Sequence, residues 1–151
     1  MIIHTTRFGA LEIEENEIID FPLGIPGFPE HRSYTLMPIE ESPFYFLQSV
    51  EEGRLSFIVV SPFEFFPKYE FELQSNILHA LGQPLTENLR VLNIVTVKGN
   101  IQEATANLAA PIIWNTANNS AAQVVLQDPS YLTKHTLFPS VTGQEKEGRS
   151  C

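Results

Sequence analysis

Residues 21–29 read Phe21-Pro22-Leu23-Gly24-Ile25-Pro26-Gly27-Phe28-Pro29, three prolines and two glycines in nine positions. No regular helix or strand runs through such a stretch. Proline fixes φ and removes a main-chain donor, and glycine carries the chain into turns. Glycine and proline punctuate most of the remaining chain as well, and the segments between them are short and β-rich. That pattern belongs to an all-β sandwich or barrel.

Met1 to His4 opens as an extended stretch that turns at Phe8-Gly9-Ala10. Leu11 with Ile13, and Ile18 with Ile19, suggest two short strands around the acidic turn Glu14-Glu15-Asn16-Glu17. Strands are expected over 33–37, 44–49 and 56–60, the last two joined as a hairpin through Glu51-Glu52-Gly53. Tyr69, Phe71 and Leu73 alternate with Glu70 and Glu72, the signature of a half-buried strand. One short helix is expected over 75–82, capped by Ser75 or Asn76 and ended by Gly82. The strongest strand covers 90–97, and others follow over 105–108, 111–114 and 121–126. The expected fold is all-β, a single small β-barrel-like domain of antiparallel strands with one short helix over residues 1–140. The polar residues 141–151 read as a disordered tail.

The run Thr105-Ala106-Asn107-Leu108-Ala109-Ala110-Pro111-Ile112-Ile113-Trp114-Asn115 stands apart. It is apolar and uncharged, and Pro111 breaks it where two extended segments meet at a corner. Its polar groups, on Thr105, Asn107, Trp114 and Asn115, need partners if buried.

At 151 residues, the chain is long enough for one domain burying roughly 70% of its unfolded surface, so neither disulfide nor metal is required. The single cysteine is Cys151. No signal peptide opens the sequence and no apolar run spans a membrane, which points to a soluble cytoplasmic setting. Acids outnumber bases 18 to 9, for a net charge of −9, and residues 1–87 hold 14 acids against 4 bases. An acidic surface repels phosphates, so direct nucleic-acid binding lacks its basic footprint; the acidity either steers a basic protein partner or simply keeps the protein dispersed, and composition alone leans to the second. Arg7, isolated in the acidic half, is expected to form an internal ion pair.

The chemistry of a catalytic site is missing. His4, His31, His79 and His135 are scattered without metal-ligand spacing, and no nucleophile elbow, P-loop or dinucleotide fingerprint occurs. Gly24-Ile25-Pro26-Gly27 lacks one donor N–H and a following lysine, so it does not make a phosphate loop. No cofactor, metal, membrane or small-molecule substrate is expected. The chain reads as a binding protein.

Several motifs, taken in order, resemble one family. They begin with Thr6-Arg7-Phe8-Gly9, Gly24-Ile25-Pro26-Gly27-Phe28 and Leu47-Gln48-Ser49-Val50-Glu51. Phe57-Ile58-Val59-Val60, Val95-Thr96-Val97, Thr105 to Ile112 and Gln123-Val124-Val125-Leu126 complete the set. Across residues 1–138 the chain is similar to the FliW flagellar assembly factors. That resemblance implies a β-barrel-like binding protein that holds flagellin and alternatively sequesters CsrA, an RNA-binding repressor of flagellin translation. Glu40, Glu41, Glu51 and Glu52 are candidates for the face toward a basic repressor. Ile25, Phe28, Phe63, Phe65 and Phe66 are candidates for an apolar groove that takes flagellin, with filling of the barrel core as the alternative for each aromatic. Asn107 and Pro111 are expected to shape a barrel corner, with partner contact as the alternative. A general export chaperone without a translational role and a flavin-binding small-barrel enzyme are the rival readings.

Overall fold

The computed structural model describes residues 1–139; the expected tail lies outside them, as does Ser140. Eleven strands, one α-helix and four single-turn 3-10 helices occur in this span. They are β1 (Ile2–Thr5), β2 (Gly9–Glu12), β3 (Ile18–Asp20), β4 (Ser33–Pro38), β5 (Phe44–Ser49) and β6 (Ser56–Val60). Helix α1 (Ser75–Ala80) precedes β7 (Leu89–Thr96), β8 (Thr105–Ala106), β9 (Ile112–Asn115), β10 (Ser120–Gln123) and β11 (His135–Thr136).

Seven strands close into a barrel in the order β7-β6-β5-β4-β3-β10-β9, with β9 returning to pair with β7. Closure covers most of the edges that short apolar strands would otherwise expose. Every pairing is antiparallel except β10 with β3, which meet in parallel at Ser120 and Asp20 alone. Asn119 holds that seam. Its carbonyl accepts from Asp20 N–H at 2.8 Å, and its amide donates to Asn16 C=O at 2.9 Å.

Ile19, Phe21, Tyr34, Leu47, Val59, Leu92 and Ile112 fill the interior. Ile25 joins them at 1% exposure, so this residue of the proline-rich stretch is core and offers no contact surface. A second apolar cluster lies outside the wall, where Val60, Tyr69, Val95, Ala106 and Leu108 meet Phe65 and Phe66.

The alternation over 69–73 appears in burial, but no ladder forms there. Tyr69 is buried and Glu70 and Glu72 are exposed, yet the segment pairs with no strand among the described residues. A strand needs a partner edge as well as two unlike faces, and here the Tyr131 hydroxyl engages both main-chain groups of Glu70. Gly82, at φ +84°, ends the helix as expected. Its N-cap is Gln74, however, with no side-chain cap bond from Ser75 or Asn76. Arg7 makes no ion pair among the described residues. Its guanidinium lies 4.4 Å over the Phe46 ring, a cation–π contact.

Candidate functional site

The Pro111 corner is a break in one continuous edge. β8 and β9 both pair with β7, Ala106 opposite Val95 and Ile112 opposite Leu92. Five residues, 107–111, therefore face only Asn93 and Ile94, and the surplus bulges outward. Side chains bind the bulge together. Asn107 Oδ1 accepts from Ala109 N–H at 3.1 Å, and Asn93 Nδ2 donates to Asn107 C=O at 2.8 Å. Pro111 is buried. Asn115 Nδ2 donates to Leu81 C=O at 2.7 Å, and the Trp114 indole donates to Asn119 Oδ1 at 3.1 Å. Asn107 and Pro111 thus shape the corner.

The same network positions a cleft. Tyr69 O–H donates to Leu108 C=O at 2.6 Å and accepts from Asn93 Nδ2 at 3.3 Å. Burial pushes this hydroxyl up to about 12, against the opposing hydrogen bond from Asn93, so Tyr69 stays a neutral donor. Beside it β6 leaves the wall at Ser61. Pro62 begins a tight turn there, and the first half of β7 keeps β9 as its only strand neighbour among the described residues. The resulting cleft holds about 940 Å³. Leu36, Tyr45, Leu92 and Trp114 line it from the barrel, and Phe63, Tyr69, Phe71 and Leu73 from the segment crossing outside. Glu70, Glu72 and Arg90 supply its charge. The Arg90 guanidinium is committed to the carbonyls of Glu87 and Leu89, both at 3.0 Å. One tethered base in a cleft that also holds two carboxylates does not suit a flavin phosphate.

Among the expected aromatics, Phe63, 45% exposed, lines this cleft. Phe65 and Phe66 do not; they pack half-buried against Phe138 and His135, at ring separations of 5.7 and 5.9 Å. Phe28, 38% exposed, stacks edge-on against Phe57 at 5.4 Å. Glu40 and Glu41 sit exposed in the β4–β5 turn, without an ion pair among the described residues. Glu51 and Glu52 are engaged internally. Glu51 Oε1 accepts from the N–H groups of Arg32 and Ser33 at 2.6 and 3.1 Å. Glu52 pairs with Arg54 at 3.1 Å, and that guanidinium holds its carboxyl below the ordinary range. Sequence reasoning missed Asn93, Arg90 and Tyr131, none of which carries a local signal. The Glu70 and Glu72 alternation was visible, but it marked a cleft rim and not a ladder.

The FliW protein family model matches residues 2–137. The chain belongs to the FliW family. It is 47% identical over 138 residues to the flagellar assembly factor FliW of Bacillus subtilis (strain 168), covering 91% of this chain and 96% of that one. To the flagellar assembly factor FliW of Alkaliphilus metalliredigens (strain QYMF) it is 41% identical over 149 residues, covering 97% and 92%. A crystal structure of the flagellar assembly factor FliW superposes with a TM-score of 0.87 at 40% identity, over 92% of this chain and 98% of the other. These relatives are named assembly factors, not enzymes. No helix among the described residues is long and apolar enough to cross a membrane.

Proposed function

We propose that this FliW-family chain is a non-enzymatic flagellar assembly factor in the cytoplasm that exchanges two protein partners. One is flagellin; the other is a CsrA-type repressor, whose sequestration relieves repression of flagellin mRNA. The observation that carries this reading is the presence of two unlike surfaces, one acidic and one apolar. Glu40 and Glu41 form an exposed acidic tip, and the apolar cleft lies beyond the β6 exit. A basic RNA-binding protein suits the tip through charge, and bound there it would be denied to RNA by like-charge repulsion as well as by bulk. Unassembled flagellin has apolar segments to bury, and the cleft suits them. Exchange between the two needs only coupled binding equilibria.

A competition with purified CsrA, flagellin and leader RNA tests it. Adding this protein is expected to release RNA from CsrA, and flagellin to reverse the release. Glu40→Lys with Glu41→Lys is expected to weaken CsrA capture roughly tenfold, several charge contacts being lost at once, while leaving flagellin capture unchanged. Flagellin binding with no effect on CsrA would instead indicate an export chaperone without a translational role. Binding to neither partner at micromolar concentration would overturn the assignment.

A further inference from the structure

The departure of β6 leaves one edge of β7 open, and the alternation of main-chain bonds shows which groups point into the gap. Asn88 C=O accepts from Thr116 N–H, and Ile94 C=O accepts from Asn107 N–H, each at 2.9 Å. Even-numbered residues of β7 therefore turn toward β8 and β9, and odd-numbered ones toward β6. Val95 and Asn93 meet Ile58 and Val60 on that side. The next odd residue, Val91, would face Pro62, which has no N–H and sits in a tight turn. Val91 N–H and C=O thus open on the cleft with no partner among the described residues. Neighbouring Leu89 is occupied, its N–H by Thr86 C=O and its C=O by Arg90. Phe71, Glu72 and Leu73 line the same cleft, and their main-chain groups also lack partners among the described residues.

We propose that this cleft is a strand-acceptor site, taking an extended partner segment that alternates apolar with basic side chains and pairs through its main chain with Val91. Three observations select that occupant. Unpaired main-chain groups at a strand edge are matched by an extended segment; a helix has already spent its own on itself. Leu36, Tyr45 and Phe71 offer apolar surface to alternate side chains. Glu70 and Glu72 are exposed and without ion pairs among the described residues, so lysine or arginine suits the remaining positions. Strand pairing rests on the preceding reading only in that the cleft is a partner site.

The test uses the full chain and a capped, fluorescent peptide alternating valine with lysine. Fluorescence anisotropy is expected to show saturable binding, and hydrogen exchange to show new protection at the Val91 amide. N-methylating alternate peptide residues is expected to weaken binding roughly tenfold or more, since it removes the ladder bonds and leaves the side chains. Glu70→Lys with Glu72→Lys, both on exposed carboxylates, is expected to weaken the lysine peptide roughly tenfold and to favour a glutamate counterpart. Equal binding by the N-methylated peptide or by a lactam-bridged helical one would overturn strand pairing. So would failure to bind, absence of protection at Val91, or self-association that the peptide disperses, which would assign the edge to a second copy. Flagellin capture without these peptide effects would leave the function standing and remove the strand site. Peptide pairing without capture of flagellin or CsrA would do the reverse.

Discussion

The turn between β4 and β5 carries Glu40 and Glu41, and the turn between β5 and β6 carries Glu51 and Glu52, so both read as solvated acidic hairpins. Internal bonding separates them. In the second turn Gln48 Nε2 donates to the carbonyls of Ser49, Gly53 and Leu55 at 3.0–3.3 Å. Ser49 Oγ accepts from Glu51 and Glu52 N–H, Glu51 fastens the start of β4, and Thr6 N–H donates to Gly53 C=O at 3.0 Å. The first turn has only Ser42 bridging Ile39 and Phe44, with one main-chain bond between those two residues. Carboxylates occupied within the fold stabilise it and have little left for a partner. Those with no internal role are available for recognition.

Gly53→Ala should have the largest effect. A Cβ there would collide with the His4 carbonyl, forcing β1 off the turn at a cost of about 2–3 kcal/mol. Urea unfolding measures it, and a loss under about 0.5 kcal/mol would show that the turn does not brace β1. Glu51→Ala follows. Orphaning the Arg32 and Ser33 N–H groups should cost about 1–2 kcal/mol, lowering Tm by roughly 3–6 °C, whereas Glu40→Ala should stay within about 0.5 kcal/mol. Equal losses would erase the distinction between the turns. Glu41→Gly should act in the opposite sense, gaining about 0.5 kcal/mol, because Glu41 holds φ at +57° where glycine is unstrained.

The smallest effect is on ionisation. Tyr34 is pushed from 10.0 up to about 12, first by burial and second by the Glu51 charge. The folded value exceeds the unfolded one, so the native state keeps a proton that the unfolded chain has lost between pH 10 and 12. Its contribution to stability is complete below pH 10 and is lost as pH rises through that window. Glu51→Gln should bring Tyr34 partway back toward 10.0, since burial remains. NMR titration of ring-labelled tyrosine reads this, and no change would mean that Glu51 does not act on the interior.

Local chemistry made much of the barrel legible. The 33–37, 44–49 and 56–60 segments lie within the observed β4, β5 and β6, because apolar runs of aromatic and β-branched residues between turn residues favour strands. Asn107 and Pro111 were legible as a corner because proline has no N–H for a ladder and asparagine can bond the local backbone. The β11 strand was not anticipated: His135 and Thr136 carry no strand pattern, and they pair only because β8 offers an edge. The candidate site was less legible. Ile25 reads as an exposed loop apolar until the barrel is seen to close over it. Phe63, Phe65 and Phe66 are near neighbours in sequence, yet the turn beginning at Pro62 sends the first to the cleft and the other two beneath Phe138 and His135.

By itself the sequence determined the class of fold, the helix stop at Gly82, the acidic balance and the family, since each depends on residue identity or short-range spacing. Only the tertiary structure decided which carboxylates are spoken for, which strand edge is left open and where a cleft remains. Those properties depend on what lies opposite. The N–H donors to Glu51 sit 18 and 19 positions away, and Val91 has no main-chain partner among the described residues because Pro62, distant in sequence, turns aside.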